Sequence, residues 1–229
     1  MKKLSIIIPV FNEKDNITTV LETVKGAATP GFEKEIIVVD DYSTDGTRDI
    51  LKKIDGIHLI LAEKNGGKGA AIKLGFSKVT GDFILFQDAD MEYSPHDYKH
   101  LLPLVDNSTV VFGSRYLKNN KRNHLSGGAR AVNILFNTLF RTTITDVATC
   151  YKIFPSDVKE KLEAIPENDF VYDVIQATIV AVKNKKTIRE VGISYNPRTY
   201  AQGKKLRIKH GLRIVATTLK EGILYFFFH

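Results

Sequence analysis

A chain of 229 residues with 43% hydrophobic content is long enough for one sizeable core. Its 33 Lys+Arg against 26 Asp+Glu leave a net charge of +7, a balance suited to phosphate, nucleic acid or an anionic membrane surface. The single cysteine, Cys150, excludes an internal disulfide framework, and no apolar run approaches the roughly 20 residues needed to cross a bilayer.

The N-terminal "MKKLSIIIPVFNE" starts like a signal peptide, but its apolar run is short and meets Asn12 and Glu13 at once, so it reads as a first strand. A helical pattern follows from about Glu13 to Gly26. "KEIIVVD" is the second strand, with a helix from about Thr47 to Asp55, and "IHLILA" the third, with a helix from Gly69 to Val79. "DFILFQ" then runs into Asp88, Asp90 and Glu92; "PHDYKHLLPLV" is a helical patch, and "STVVFGSR" another strand. A helix is expected from about Arg122 to Arg141. The last segment, from His210, carries Leu212, Val215, Leu219 and Ile223 at helical spacing and ends in Tyr225 and three phenylalanines. Strands that are nearly continuous apolar runs, alternating with helices, predict an α/β fold: a mostly parallel, Rossmann-like sheet covered on both faces.

Ligands in such sheets bind beyond the carboxyl ends of the strands. Those ends carry Pro9 to Glu13, Asp40-Asp41, Lys64 to Gly69, Asp88-Ala89-Asp90 and Gly113-Ser114-Arg115. In "QDADMEY" the strand alternation points Asp88 and Asp90 the same way, with Glu92 able to join them. Three clustered carboxylates repel one another unless a cation sits between them, and hard oxygen ligands suit Mg²⁺ or Mn²⁺. The alternative is a solvated loop. In "VVDDYSTDGT", Ser43 or Asp45 reads as a helix cap, which leaves Asp40 and Asp41 placed to accept hydrogen bonds from a base or ribose. "KNGGKGAAIKLGF" resembles a phosphate loop with Lys68 at a helix start, but lacks the hydroxyl of the P-loop pattern, and purely structural glycines are the alternative. Arg115, Arg130 and the basic block "RTYAQGKKLRIK" together suit a phosphate, which guanidinium groups fork bidentately.

The segments "SIIIPVFNE", "EIIVVDDYSTDGT", "NGGKGAAIKLGF", "FILFQDADMEYSP", "VVFGSRY", "TDVATCYKIF" and "EVGISYNPRTYAQGKKL", in that order, resemble the family 2 glycosyltransferases of GT-A (nucleotide-diphospho-sugar transferase) fold, in the dolichyl- or polyprenyl-phosphate mannose or glucose synthase branch. The resemblance implies a nucleotide-binding strand end at Pro9, Phe11 and Glu13, with Phe11 where many relatives have Tyr. It implies base and ribose contacts from Asp40 and Asp41, and a metal site at Asp88, Asp90 and Glu92 that bridges to the donor diphosphate. Lys68 belongs on the donor side. Arg115 and Arg130 resemble arginines near the diphosphate and the acceptor phosphate, and Arg198, Lys204 and Lys205 a basic loop closing over phosphates. Asp146 matches an acid near the acceptor. Two departures stand out: Ala148, where close relatives often have Glu, and Ile175, where the family pattern has an acid after Asp173.

The implied reaction moves a hexose, with inversion, from GDP-mannose or UDP-glucose to a polyprenyl phosphate. That acceptor is already ionised, so no strong base is obligatory. A hydroxyl acceptor would need one, with Asp146 or Asp173 as candidates. A non-catalytic nucleotide or polyanion binder is the third reading; the carboxylate triplet argues against it, and no nucleic-acid partner is expected. The expected organisation is a catalytic domain over residues 1–209 and an amphipathic, interfacial helix over 210–229. Apolar side chains beside a basic block suit a peripheral position on the cytoplasmic membrane face.

Overall fold

A computed structural model describes residues 1–118, 127–166, 169–198 and 208–228. The elements in chain order are β1 (Lys2–Val10), α1 (Ile17–Gly26), β2 (Phe32–Asp40), α2 (Thr47–Leu51), β3 (His58–Leu61), α3 (Lys68–Gly75), β4 (Phe83–Phe86), α4 (Tyr98–Leu101), β5 (Thr109–Ser114), α5 (Gly127–Phe140), β6 (Lys152–Pro155), α6 (Lys159–Glu163), α7 (Ala177–Lys183), β7 (Thr187–Gly192) and α8 (Ile208–Phe228). The strands form one sheet in the order β3-β2-β1-β4-β6-β5-β7. Neighbours are parallel except at β6, which runs antiparallel to both β4 and β5.

The apolar runs are continuous because both faces are covered. Ile7, Ile37, Val39 and Phe86 pack with Ile72 of α3 and Phe136 of α5, while Ile6, Ile8, Val38 and Leu85 pack with Val20 of α1 and Leu101 of α4. α3 lies so close to β1 that a Cβ on Gly75 would stand 2.7 Å from Ile7 Cγ2. The first helix begins at Ile17 and not near Glu13. Residues between them form a turn in which Asn12 has φ 50° and the Glu13 carbonyl accepts from both Asn16 and Ile17. Pro103 restricts the patch "PHDYKHLLPLV" to short turns around α4.

α8 begins at Ile208, and one of its faces packs on α5. Ile214 joins the core there, Gly222 admits Leu139 to within 2.7 Å of where its Cβ would be, and the Tyr225 ring lies 5.2 Å from Phe140. Of the four residues expected as one stripe, Val215 packs against the core, while Leu212, Leu219 and Ile223 turn the other way and are exposed, as are Phe226 and Phe227. Among the described residues no helix is long and apolar enough to cross a membrane.

Candidate active site

At the ends of β1 and β2 the two aspartates have separate roles. Asp40 is fully buried; its Oδ2 accepts from Arg48 Nε (2.8 Å) and the Ser43 amide (3.2 Å), and its Oδ1 has no partner. Asp41 is held instead by the glycine loop, whose Gly66 and Gly67 amides each donate to its carboxylate at 2.8 Å. Burial pushes the Asp41 carboxyl up, against those two donors. The glycines therefore serve a structural end: Gly67, at φ 89°, turns its amide toward Asp41 just before α3 starts. The N-cap position of α2 is Gly46, at φ 100°, and not Ser43 or Asp45; Asp45 closes the turn before it, accepting from the Thr47 amide at 3.0 Å. Pro9 sits in register with Val39, and Phe11 is half-buried in the turn beyond.

The acid loop follows β4 and rests on Gln87. The Gln87 Oε1 accepts from the Tyr98 and Tyr151 hydroxyls, both at 2.6 Å, and its amide donates to the Asp88 carbonyl. Asp88 pairs with Lys68 at 2.5 Å, and Lys68 also reaches Asp173 at 2.7 Å. Burial disfavours the Lys68 charge, but Asp173 and Asp88 overcome it and hold the ammonium well above its ordinary range. Met91, at φ 61°, turns the chain so that the Glu92 amide donates to Asp90 Oδ1 at 3.1 Å. Glu92 accepts from the Tyr195 hydroxyl and the Arg198 amide, both at 2.9 Å.

The three acids are thus not arranged around a common empty point; a guanidinium stands among them. Arg198 donates from Nη2 to Asp90 (2.9 Å) and from Nη1 to Glu13 (3.2 Å), while its Nε lies 3.9 Å from Glu92. Burial, together with the charges of Asp88 and Glu92, still pushes the Asp90 carboxyl up to about 7. Among the described residues, no group of three His, Cys, Asp or Glu side chains is disposed to hold a metal ion. The donor chemistry nevertheless suits one: hard carboxylate oxygens, in excess of the cations beside them, with an arginine as stand-in.

Across the sheet, Asp146 grips Arg115. The carboxylate accepts from Nε at 2.8 Å, from Nη2 at 2.7 Å and from the Arg115 amide at 3.0 Å. Glu190 in turn accepts from the Thr145 and Asp146 amides. The Arg115 guanidinium also stacks 5.1 Å from the Tyr195 ring. Arg130 is exposed in the first turn of α5. Lys204 and Lys205 lie outside the described residues.

Sequence reasoning named Asp173 as a candidate base but missed its setting and the lysine beneath it. Asp173 is fully buried in a π-turn, Tyr172–Gln176, an irregularity frequent at functional sites. Lys152, also fully buried, donates to the carbonyls of Thr149 (2.5 Å), Asp173 (2.6 Å) and Val174 (3.4 Å), pinning that turn under Lys68. The available signal was a lysine inside the apolar run "CYKIFP". Tyr195, which braces Glu92, carried no comparable signal.

This geometry can be set beside known proteins. The sequence profile of glycosyl transferase family 2 matches residues 5–162. Dolichol-phosphate mannosyltransferase of Pyrococcus furiosus is 27% identical over 213 residues, covering 88% of this chain and 59% of that protein. Undecaprenyl-phosphate 4-deoxy-4-formamido-L-arabinose transferase of Klebsiella pneumoniae is 37% identical over 120 residues, 50% of this chain and 37% of that one. This chain therefore spans under two thirds of the length of either relative. A crystal structure of Mycobacterium tuberculosis glucosyl-3-phosphoglycerate synthase with Mn²⁺, uridine diphosphate and phosphoglyceric acid superposes with a TM-score of 0.72 at 18% identity, over 96% of this chain and 78% of that one. The likeness establishes a GT-A fold. With the profile spanning more than half of its length, the chain belongs to glycosyl transferase family 2.

Proposed function

We propose that this chain transfers a hexose, with inversion, from a nucleotide sugar such as GDP-mannose or UDP-glucose to a polyprenyl phosphate. The observation that carries the acceptor class is the state of the two acids available as a base. Asp146 is closed on Arg115 and Asp173 on Lys68, both carboxylates almost wholly buried. A hydroxyl acceptor needs a free base; a phosphate oxyanion does not, and asks only to be positioned. The named acceptors of the Pyrococcus and Klebsiella relatives, dolichol phosphate and undecaprenyl phosphate, are of that kind.

On the donor side, the unpartnered Asp40 Oδ1 accepts an N–H of the base, and Pro9 and Phe11 line the approach. Asp88, Asp90 and Glu92 would hold Mg²⁺ or Mn²⁺, which neutralises the charge that develops on the departing nucleoside diphosphate. Lys68 keeps Asp88 ionised and in place. Arg115, oriented by Asp146, and Arg130 hold phosphate oxygens, with Lys204 and Lys205 assigned to the same task. The exposed face of α8, with Phe226 and Phe227, lies on the cytoplasmic membrane surface where such an acceptor resides. The test is incubation with labelled GDP-mannose or UDP-glucose, Mg²⁺ or Mn²⁺ and a polyprenyl phosphate. Label in the lipid extract is expected; none with any common donor overturns the proposal.

A further inference from the structure

The segment after β7 is stitched onto the acid loop. Tyr93 and Tyr195 form an antiparallel bridge, the Asn196 amide donates to the Glu92 carbonyl at 2.9 Å, and the Arg198 amide donates to the Glu92 carboxylate. This backbone frame carries Arg198 back over the loop. Its guanidinium is divided between two carboxylates on different elements, Glu13 beyond β1 and Asp90 beyond β4, and faces a third, Glu92. The fork on Glu13 is loose, with Nη1 at 3.2 Å from one oxygen and Nη2 at 3.4 Å from the other, Nη2 is shared with Asp90, and the buried Nε has no hydrogen-bond partner. A monovalent planar cation here is an imperfect match to an oxygen-rich group that can ligate a harder, divalent one.

We propose that Arg198 is an internal counter-ion that competes with the divalent cation for Glu13, Asp90 and Glu92, and that cation binding releases its guanidinium to the donor diphosphate. The inference rests on the metal-dependent reading above. It adds that metal and nucleotide bind cooperatively through one side chain: the metal must displace Arg198 when it binds alone, and the displaced arginine finds phosphate oxygens only when the nucleotide is present. By linkage, whatever the nucleotide does to metal affinity the metal does to nucleotide affinity.

Mn²⁺ binding to the purified chain, followed by loss of the free-ion electron paramagnetic resonance signal, tests this without catalysis. Arg198→Ala is expected to bind Mn²⁺ alone about tenfold more tightly than the parent, as removal of one cation in contact with the ligands implies. The tightening of Mn²⁺ by added GDP or UDP should shrink in the variant. Arg198→Gln, which keeps a donor for Asp90 without the charge, should do the same and stands in if Arg198→Ala does not fold. Lys118→Ala removes an equal charge from a lysine bonded to Ser194 and should leave Mn²⁺ affinity unchanged. Equal Mn²⁺ affinity in parent and Arg198 variants, or equal tightening by Lys118→Ala, overturns the exchange while leaving the metal reading intact. If neither parent nor variants bind Mn²⁺ with or without nucleotide, the metal reading itself fails and the exchange with it.

Discussion

Two carboxylates toward opposite ends of the strands, Glu35 buried and Asp90 half-buried, behave in opposite ways. Glu35, in the amino-terminal half of β2, accepts from Ser5 Oγ (2.5 Å), Thr80 Oγ1 (2.6 Å) and the Thr80 amide (2.9 Å), and pairs with Lys3 at 2.8 Å. Burial alone would push it up, but those partners hold its carboxyl down to about 2. Asp90, beyond the carboxyl end of β4, is pushed by burial and by Asp88 and Glu92 up to about 7, although Arg198 touches it. Burial penalises both groups; the number and sign of their neighbours decides the outcome. A buried acid with all its partners is part of the scaffold, while one crowded by other acids is the place where a further cation lowers the free energy.

The sharpest way to break this comparison is to neutralise Asp90. Asp90→Asn should reduce sugar transfer on the order of a thousandfold, the scale of losing a principal electrostatic contact to the transition state. It should leave the melting temperature unchanged or raise it, because repulsion from Asp88 and Glu92 is relieved. A fall of several degrees in a thermal scan would place Asp90 with Glu35 among the scaffold groups.

Next in size is the buried cation. Burial lowers the Lys152 ammonium to about 8, yet three carbonyls surround it. Lys152→Met strands those oxygens and should destabilise the chain by about 3 kcal/mol in urea unfolding. A loss near zero would mean that the π-turn closes without it.

Glu35 supplies a smaller effect with a defined pH signature. Its folded pKa, about 2, lies below the ordinary 4.5, so its contribution is present above pH 4.5 and disappears as pH falls toward 2. Glu35→Gln should cost on the order of 2 kcal/mol at pH 7 and flatten that part of the acid limb, with sugar transfer retained. An acid limb identical to the parent's would show that Glu35 is no better satisfied than Asp90.

The same contrast governs what could be read from the sequence. β1, β2, β4 and β5 were legible because burial on both faces writes continuous apolar runs. β6 was not, since its four residues open with a buried lysine, and β7 was not, since "TIREVG" is only partly buried and reads as a basic loop. The chemical types at the strand ends were visible for the same local reason: polar residues follow apolar runs. Their pairings were not. Lys68 meets Asp173 and Arg198 meets Glu13 across 105 and 185 residues, through the sheet order and the antiparallel insertion of β6 that no periodicity encodes. Hence the acids looked like a vacant cradle in the sequence, and the structure found two cations already among them.

Apolar groups divide along the same line in α8. The residues that meet the domain include His210, Ile214, Val215, Thr218, Gly222 and Tyr225, a mixture of apolar, polar and small side chains, and their fit depends on Gly222 letting Leu139 approach. The strongly apolar stripe, Leu212, Leu219 and Ile223, faces outward with Phe227, which is 75% exposed. Arg141 stacks 4.8 Å from the Phe226 ring, so a cation accompanies the apolar surface, the pairing that anionic lipid favours. Phe227→Ser should therefore change folding stability by less than about 0.5 kcal/mol, as for a side chain that touches little. The same change should weaken co-sedimentation with vesicles containing anionic lipid severalfold, since the loss of a phenyl ring from a bilayer interface is the loss of buried apolar area. A drop in melting temperature with unchanged vesicle binding would reverse the assignment and make this face, too, part of the scaffold.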